Sequence, residues 1–302
     1  MLDIAGLKSW FGDLLSPERG PAAVVRRSPP LAMGQAAPPD EQANQESAPD
    51  LTWPPARLAL AERLWGEGFV SPGGPAAVLQ LVNPMGLSGA DTLLLLGAGP
   101  FGAARAIAGT FHCWVEGYER DPELQALALA RAEQAGMKKR ASTQLLDAAA
   151  KFRAKSASHA LSLHSITDTA AIGPLLGGLA AAMRPGGQFA MVELVTSGDL
   201  DDATGRRWLA LEGRRAPPPA ATAISAELAR LSFDIRIADD ISGRHVQEVL
   251  TGWAGLLEDV RAERPGRAWA RQMVAEAEPW LLRLKLIEAK RLQVVRWQAI
   301  RP

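Results

Sequence analysis

The feature that most limits this chain is the hexapeptide GAGPFG at 97–102, which sits between the apolar run DTLLLLG at 91–97 and a segment with helical spacing at 101–109. A short leucine run that ends in glycine reads as a buried strand. Gly97 and Gly99 permit a tight turn and a close backbone approach. A glycine turn between strand and helix is the context in which such a loop holds a ligand, because the N–H groups at the helix start lack intrahelical partners and favour an anionic group. The next predicted strand, FHCWVEGY at 111–118, runs into Glu119, about twenty residues beyond the loop. A carboxylate there can accept hydrogen bonds from both hydroxyls of a ribose.

These features fit two cofactor classes, a dinucleotide or S-adenosylmethionine; the alternative is a glycine turn that only packs helix on strand. Around them the pattern alternates. Helical spacing covers 54–66, 75–83, 122–136 (with Pro122 at the helix start) and 169–183. Strand-like runs cover 158–164 and 187–195, the second following an Arg-Pro-Gly-Gly turn. Strands alternating with helices at this spacing indicate βαβ units and a parallel sheet. Further on, 197–222 is rich in Gly, Pro and charge and reads as an insertion over one sheet edge. A helix at 224–231, a strand at 232–238, helices at 243–263 and 267–289 (the second bent or broken at Pro279) and a strand at 292–300 complete the pattern.

The N-terminus is different. Ile4, Leu7, Trp10, Phe11, Leu14 and Leu15 recur at helical spacing, which predicts an amphipathic docking helix over 1–15 that needs a surface to pack on, its own domain or a protein partner. Residues 16–52 carry seven prolines among Ala, Gln, Glu and Ser, and read as a disordered linker ahead of a folded domain over 53–302. Deleting 1–50 is accordingly expected to leave the melting temperature within a few degrees of the full chain; a larger drop in a thermal scan would make the tail part of the core.

Composition narrows the function classes. Thirty-three basic residues balance thirty-three acidic ones, which disfavours a nucleic-acid acceptor. One cysteine and four histidines argue against a disulfide framework and a metal site. The longest apolar run, 170–183, is interrupted by Gly and Pro and is too short to span a bilayer, and the N-terminus lacks a secretory pattern, so a soluble cytoplasmic protein is expected.

With these residues in view, the segment from about 55 to 302 resembles the class I S-adenosylmethionine-dependent methyltransferases, in particular small-molecule enzymes similar to phosphoethanolamine and tocopherol methyltransferases. LLLLGAGPFGAARAIA resembles the family's first motif. GYERDPELQALALARA resembles the segment whose acidic residue binds ribose. STQLLDA resembles the third strand, HALSLHSIT the fourth, and AAMRPGGQFAMVEL the helix, turn and fifth strand. RLWGEGFVSPGG at 63–74 resembles the cofactor-covering segment, and VVRWQAIRP the last antiparallel strand. The resemblance implies a Rossmann-like, doubly wound α/β sheet of seven strands, mostly parallel with an antiparallel last strand. It implies S-adenosylmethionine held by Gly97, Ala98, Gly99, Gly102, Glu119, Arg120, Asp147 and His164, with Asp147 near the adenine amino group. One departure stands out: Leu95 occupies the position where the family usually has an acidic residue that helps hold the methionine end.

Methyl transfer from a sulfonium is an in-line displacement in which the donor carries the activation, so no catalytic triad is expected and none is visible. His164 and Glu193 are the candidate catalytic residues. His164 is either a general base, an acceptor-binding group or a hydrogen-bonded structural histidine. Glu193, in an apolar strand, needs a partner, which is either a substrate amine or hydroxyl or an internal arginine. Asp168 reads as a helix cap. Trp65 and Phe69 cover a ligand or simply pack. Trp208, Trp253, Trp269, Trp280 and Trp297 read as core or helix contacts, His245 as surface or lid, and Cys113 as a small apolar strand residue. The leading expectation is a methyltransferase for a small-molecule or lipid-like acceptor. Two alternatives stand beside it: a non-catalytic methyltransferase-like protein used for binding or assembly, which Leu95 and the docking helix motivate, and a nicotinamide-dependent oxidoreductase, which shares the glycine loop.

Overall fold

The computed structural model describes residue 6 and residues 53–146, 152–263 and 266–302. The docking helix over 1–15 and the linker over 16–52, Gly6 apart, lie outside the described residues, as does Asp147.

The leucine run forms β1 (Thr92–Leu96), with four of its five residues buried. Successive side chains of a strand point to opposite faces. Leu93 and Leu95 therefore enter one core layer, and Leu94 and Leu96 the other. The same division recurs on β5 (Gln188–Thr196), where Ala190, Val192 and Leu194 face the first layer and Phe189, Met191 and Val195 the second. Burial on both faces is why these strands are apolar without alternation.

With β2 (Trp114–Glu119), β3 (Ala141–Leu145), β4 (His159–Leu163), β6 (Asp234–Asp240) and β7 (Leu292–Ile300), the sheet has seven strands in the order β3-β2-β1-β4-β5-β7-β6. All neighbours are parallel except at β7, which runs antiparallel to both β5 and β6. The doubly wound sheet with an antiparallel last strand is as expected. Strand order reverses between β1 and β4, which opens a crevice beyond their carboxyl ends.

Helices α1 (Pro55–Trp65), α2 (Gly74–Val82), α3 (Gly102–Phe111) and α4 (Pro122–Gln134) come before β3, and α5 (Thr169–Ala182) links β4 to β5. Asp168 caps α5, accepting a hydrogen bond from the Ala171 N–H at 3.0 Å. The stretch read as an insertion over one sheet edge holds a helix, α6 (Ala203–Leu211). Asp202 caps it by accepting from the Gly205 N–H, and Trp208 anchors it fully buried, which offsets its Gly- and Arg-rich sequence. Three helices follow, α7 (Ala221–Arg230), α8 (Ser242–Glu263) and α9 (Arg267–Glu288). The last continues through Pro279 instead of breaking there; Pro279 is buried among the residues that α9 packs inward.

Candidate functional site

Two adjoining hollows open at the carboxyl ends of the strands. The first, with an empty volume of about 990 Å³, is lined by Gly97, Gly99, Glu119, Leu163, His164 and Leu194 near strand ends, and by Arg57, Glu212, Arg214, Glu276, Trp280 and Arg283 from the surrounding helices and loops. The second, of about 620 Å³, lies between α2, α8 and β7 and shares Ser71, Pro72, Leu163 and His164 with the first.

The glycine loop is bent as the sequence suggests. Gly97 and Gly99 have φ of 69° and 60°, in the left-handed region. The N–H groups of Gly97 and Ala98 donate to the Tyr118 carbonyl at 2.9 and 3.1 Å, which ties the loop to β2. Glu119 closes the tie from the other side. Its Oε2 accepts from the Gly99 N–H at 2.7 Å, and its Oε1 accepts from the N–H groups of Arg120 and Asp121 at 2.7 and 3.0 Å. Burial raises the Glu119 pKa, opposed by these backbone donors. A carboxylate has about four acceptor positions. Three donors leave room for a ligand hydroxyl at a group that lines the first hollow.

The helix start behaves differently from the expectation of an open anion site. The Gly102 N–H donates to the Gly68 carbonyl at 2.9 Å, and the two glycine backbones pack so closely that a Cβ on Gly102 would overlap the Gly68 carbonyl. The 63–74 segment thus caps α3 itself. That leaves no Gly102 donor for a pyrophosphate.

The remaining predicted residues fall in distinct places. Ala98 is buried beneath the loop, and Gly102 under the 63–74 segment. The Arg120 guanidinium donates to the Ser165 carbonyl at 2.8 Å and is not among the lining residues. Leu95 is fully buried in the first core layer and is not among the residues that line either hollow.

His164 lies where the two hollows meet. Its backbone adopts φ of 50°, an uncommon conformation for a non-glycine residue, held by its N–H donating to the Val192 carbonyl at 2.9 Å. Solvent reaches it through the hollows. Desolvation, and then the charges of Arg283 and Arg214, holds the imidazole well below its ordinary range. The side chain is neutral at physiological pH.

Among the described residues, Glu193 is hydrogen-bonded by backbone and not by an internal arginine. It is buried, outside the residues that line either hollow, and its Oε1 accepts from the N–H groups of Ser165 and Ile166 at 2.7 and 3.2 Å. It clamps the backbone that follows His164. Burial pushes its carboxyl up to about 8, against the pull of those two N–H groups.

His245 corrects the surface assignment. It is 5% exposed, lines the second hollow, and its Nε2 has no hydrogen-bond partner among the described residues. The cause is tertiary. The Ile241 N–H donates to the Val294 carbonyl at 2.8 Å, and the Val294 N–H donates to Ser242 Oγ at 2.9 Å, so the first turn of α8 is pinned to β7. Phe69 lines the second hollow, whereas Trp65 packs edge-on against Trp280 with ring centroids 5.1 Å apart. Cys113 is fully buried and its thiol is pushed up to about 11 by burial, consistent with a plain apolar role.

The charged lining of the first hollow was not foreseen. Arg283 Nη2 donates to both Glu212 carboxylate oxygens at 2.8 and 2.7 Å, and its guanidinium carbon lies 4.2 Å from the Trp280 ring centroid. Arg57 Nε donates to Glu276 Oε2 at 2.8 Å, and Arg214 Nη1 donates to the Thr167 carbonyl at 3.1 Å. These residues come from four separate segments. Only the order of charges in the 212–214 stretch offered a local hint.

No protein-family model and no curated protein matches the sequence. Solved structures do. Phosphoethanolamine N-methyltransferase 2 from Haemonchus contortus, in complex with S-adenosyl-L-methionine, is similar over 81% of this chain with a TM-score of 0.71 and 20% identity; the chain spans 56% of that protein, little more than half its length. Geranyl diphosphate C-methyltransferase from Streptomyces coelicolor is similar over 75% of this chain and 80% of its own, with a TM-score of 0.58 and 14% identity. The [4+2]-cyclase SpnF is similar over 82% of this chain and 92% of its own, with a TM-score of 0.61 and 18% identity. The chain therefore has the fold of these proteins. Among the described residues no helix is long and apolar enough to cross a membrane, and no cluster of three or more His, Cys, Asp or Glu is arranged to hold a metal ion.

Proposed function

We propose that the protein is an S-adenosylmethionine-dependent methyltransferase for a small-molecule or lipid-like acceptor. The observation that carries this is Glu119: a carboxylate at the end of β2, fixed by the Gly99 N–H and lining the hollow beside the glycine loop. Two further features favour S-adenosylmethionine over a dinucleotide. The capped start of α3 withholds a donor that a pyrophosphate needs, and S-adenosylmethionine has no phosphate. Of the charged residues that line the hollow, Arg57 and Arg283 are paired with Glu276 and Glu212, whereas the Arg214 guanidinium is met by the Thr167 carbonyl and is the charge offered to the carboxylate end of the cofactor.

When bound, the cofactor supplies a methyl group on a sulfonium for in-line displacement by the acceptor. In this reading Glu119 accepts a ribose hydroxyl at its remaining position, and Gly97, Ala98, Gly99 and Gly102 shape the loop that lets the nucleoside approach. Arg120, through Ser165, and Glu193, through Ser165 and Ile166, position the backbone behind His164. Asp147 keeps its proposed place near the adenine. His164, neutral and set between the hollows, orients the acceptor. Balanced charge supports an acceptor other than nucleic acid. The same reading puts the protein in the cytoplasm and makes residues 1–15 a docking segment for a protein partner.

The fold alone does not fix the reaction, since one similar structure is a cyclase. Isothermal titration of the full chain with S-adenosylmethionine is the test. Saturable binding is expected, weakened about 10- to 100-fold by Glu119→Ala, as for loss of charge-assisted hydrogen bonds. An NADH fluorescence titration should show no response. No heat from S-adenosylmethionine at millimolar concentration, with the protein folded, would sink the enzyme and leave the binding or assembly reading that Leu95 motivates.

A further inference from the structure

We propose that Glu62 and Arg131 are positioning residues for the ligand of the first hollow: as a pair they clamp the 68–72 strip onto the glycine loop, and the seat of that strip sets how tightly the ligand is held. That this ligand is S-adenosylmethionine rests on the function proposed above; the clamp is read from the geometry.

The strip matters because it walls both hollows. Val70, Ser71 and Pro72 line the first, and Phe69, Ser71 and Pro72 the second. Among the described residues no hydrogen bond holds Val70, Ser71 or Pro72 themselves, so the strip takes its place from its ends. At the far end the Gly73 carbonyl accepts from the Ala77 N–H at 3.2 Å, which opens α2. The near end is Gly68, at φ of 82°, with a bond on each side of it. Its carbonyl accepts from the Gly102 N–H at 2.9 Å, and its own N–H donates to Glu62 Oε1 at 2.9 Å. A Cβ on Gly68 would lie 2.6 Å from the Gly102 nitrogen, so the contact is backbone on backbone and has no slack.

Glu62 is where the ties converge. It stands near the end of α1, and Arg131 near the end of α4, 69 residues on. Arg131 Nη1 donates to Glu62 Oε1 and Arg131 Nη2 to Glu62 Oε2 at 3.1 Å, a two-pronged pair whose side chains are 22% and 18% exposed. The same Nη1 reaches the Pro100 carbonyl at 3.2 Å, inside the glycine loop. One carboxylate therefore joins the strip, through Gly68, to the loop, through Arg131. An exposed ion pair between flexible side chains holds little. This one is partly shielded from water and also satisfies a backbone N–H, so removing the carboxylate leaves a guanidinium and an N–H short of an acceptor. Neither residue lines either hollow, so their effect on a ligand passes through the strip and the loop.

The test is calorimetric titration of the full chain with S-adenosylhomocysteine, at a temperature where circular dichroism shows each variant folded. Glu62→Ala should weaken binding about tenfold with the stoichiometry unchanged, the size expected for loss of charge-assisted hydrogen bonds. A merely structural defect would instead lower the stoichiometry and leave the affinity of the folded fraction as it was. Glu62→Gln, which keeps an acceptor for the Gly68 N–H, should recover binding to within about threefold, and adding Arg131→Met to Glu62→Ala should weaken it by less than about twofold more. Glu67→Gln is the control: it discharges the exposed pair with Arg105 on the same segment and should change affinity by less than about twofold. Should Glu62→Ala not fold, the unaltered protein still answers. The amides of Gly68 and Gly102 open together, so their exchange protection should agree within about threefold and rise at least about tenfold with S-adenosylhomocysteine bound. An unchanged affinity in Glu62→Ala, a loss confined to stoichiometry, or Gly68 and Gly102 amides that exchange independently would each overturn the proposal. Failure of the unaltered protein to bind S-adenosylhomocysteine, with the two amides equally protected, would instead overturn the function assigned to the first hollow.

Discussion

Gly97→Ala should destabilise the domain by about 3–5 kcal/mol, one of the largest losses expected from a single methyl group here. Two effects add. The residue sits at φ of 69°, where a side chain is strained, and the new Cβ would overlap the Leu163 carbonyl and approach Ser165 Oγ to 2.9 Å. The obstacle is backbone on β4, held in register with β1, so it cannot swing aside. Gly99→Ala is the control. It has a similar φ, but its added Cβ would meet nothing nearer than 3.9 Å, so only the conformational strain remains. Thermal or urea unfolding of the pair should show a Gly97→Ala loss at least twice that of Gly99→Ala. Equal losses would mean that the packing of the glycine loop against the end of β4 is looser than described.

Glu193 carries the second large effect, and it is dependent on pH. Glu193→Leu removes the acceptor for two buried N–H groups, at Ser165 and Ile166, and should cost about 2–5 kcal/mol. Glu193→Gln keeps an acceptor oxygen without the charge and should cost much less. The folded carboxyl titrates at about 8 and the ordinary value is 4.5, so between these the folded chain binds more protons than the unfolded one. The contribution of Glu193 is therefore fully present below about pH 4.5 and is lost as pH rises through 8. Relative to Glu193→Gln, the wild-type melting temperature should fall steadily from pH 5 to pH 8.5. A constant difference across that window would show that the carboxyl is ionised in the folded protein throughout.

Much of the first hollow was legible because its parts are local. The leucines of β1, the glycine turn and the carboxylate at the end of β2 form one βαβ unit, in which spacing along the chain nearly dictates position in space. The Asp168 cap was equally local, since a cap acts within three residues of itself. Where assignment failed, the deciding interaction was distant. The helix α6 was hidden by glycine and arginine and is stabilised by the burial of Trp208. His245 read as surface because the two hydrogen bonds that pin α8 to β7 join segments about fifty residues apart.

By itself, then, the order of apolar runs and glycines determined a doubly wound sheet and named Glu119 as the residue at its crevice, since strand period, helix period and turn geometry are short-range properties. Only the tertiary structure decided that Gly68 seals the start of α3, that backbone N–H groups engage Glu193, and that a neutral histidine stands unpaired in an apolar second hollow. Each of those outcomes depends on which distant backbone supplies or withholds a hydrogen bond. Packing sets that, and local pattern does not encode it.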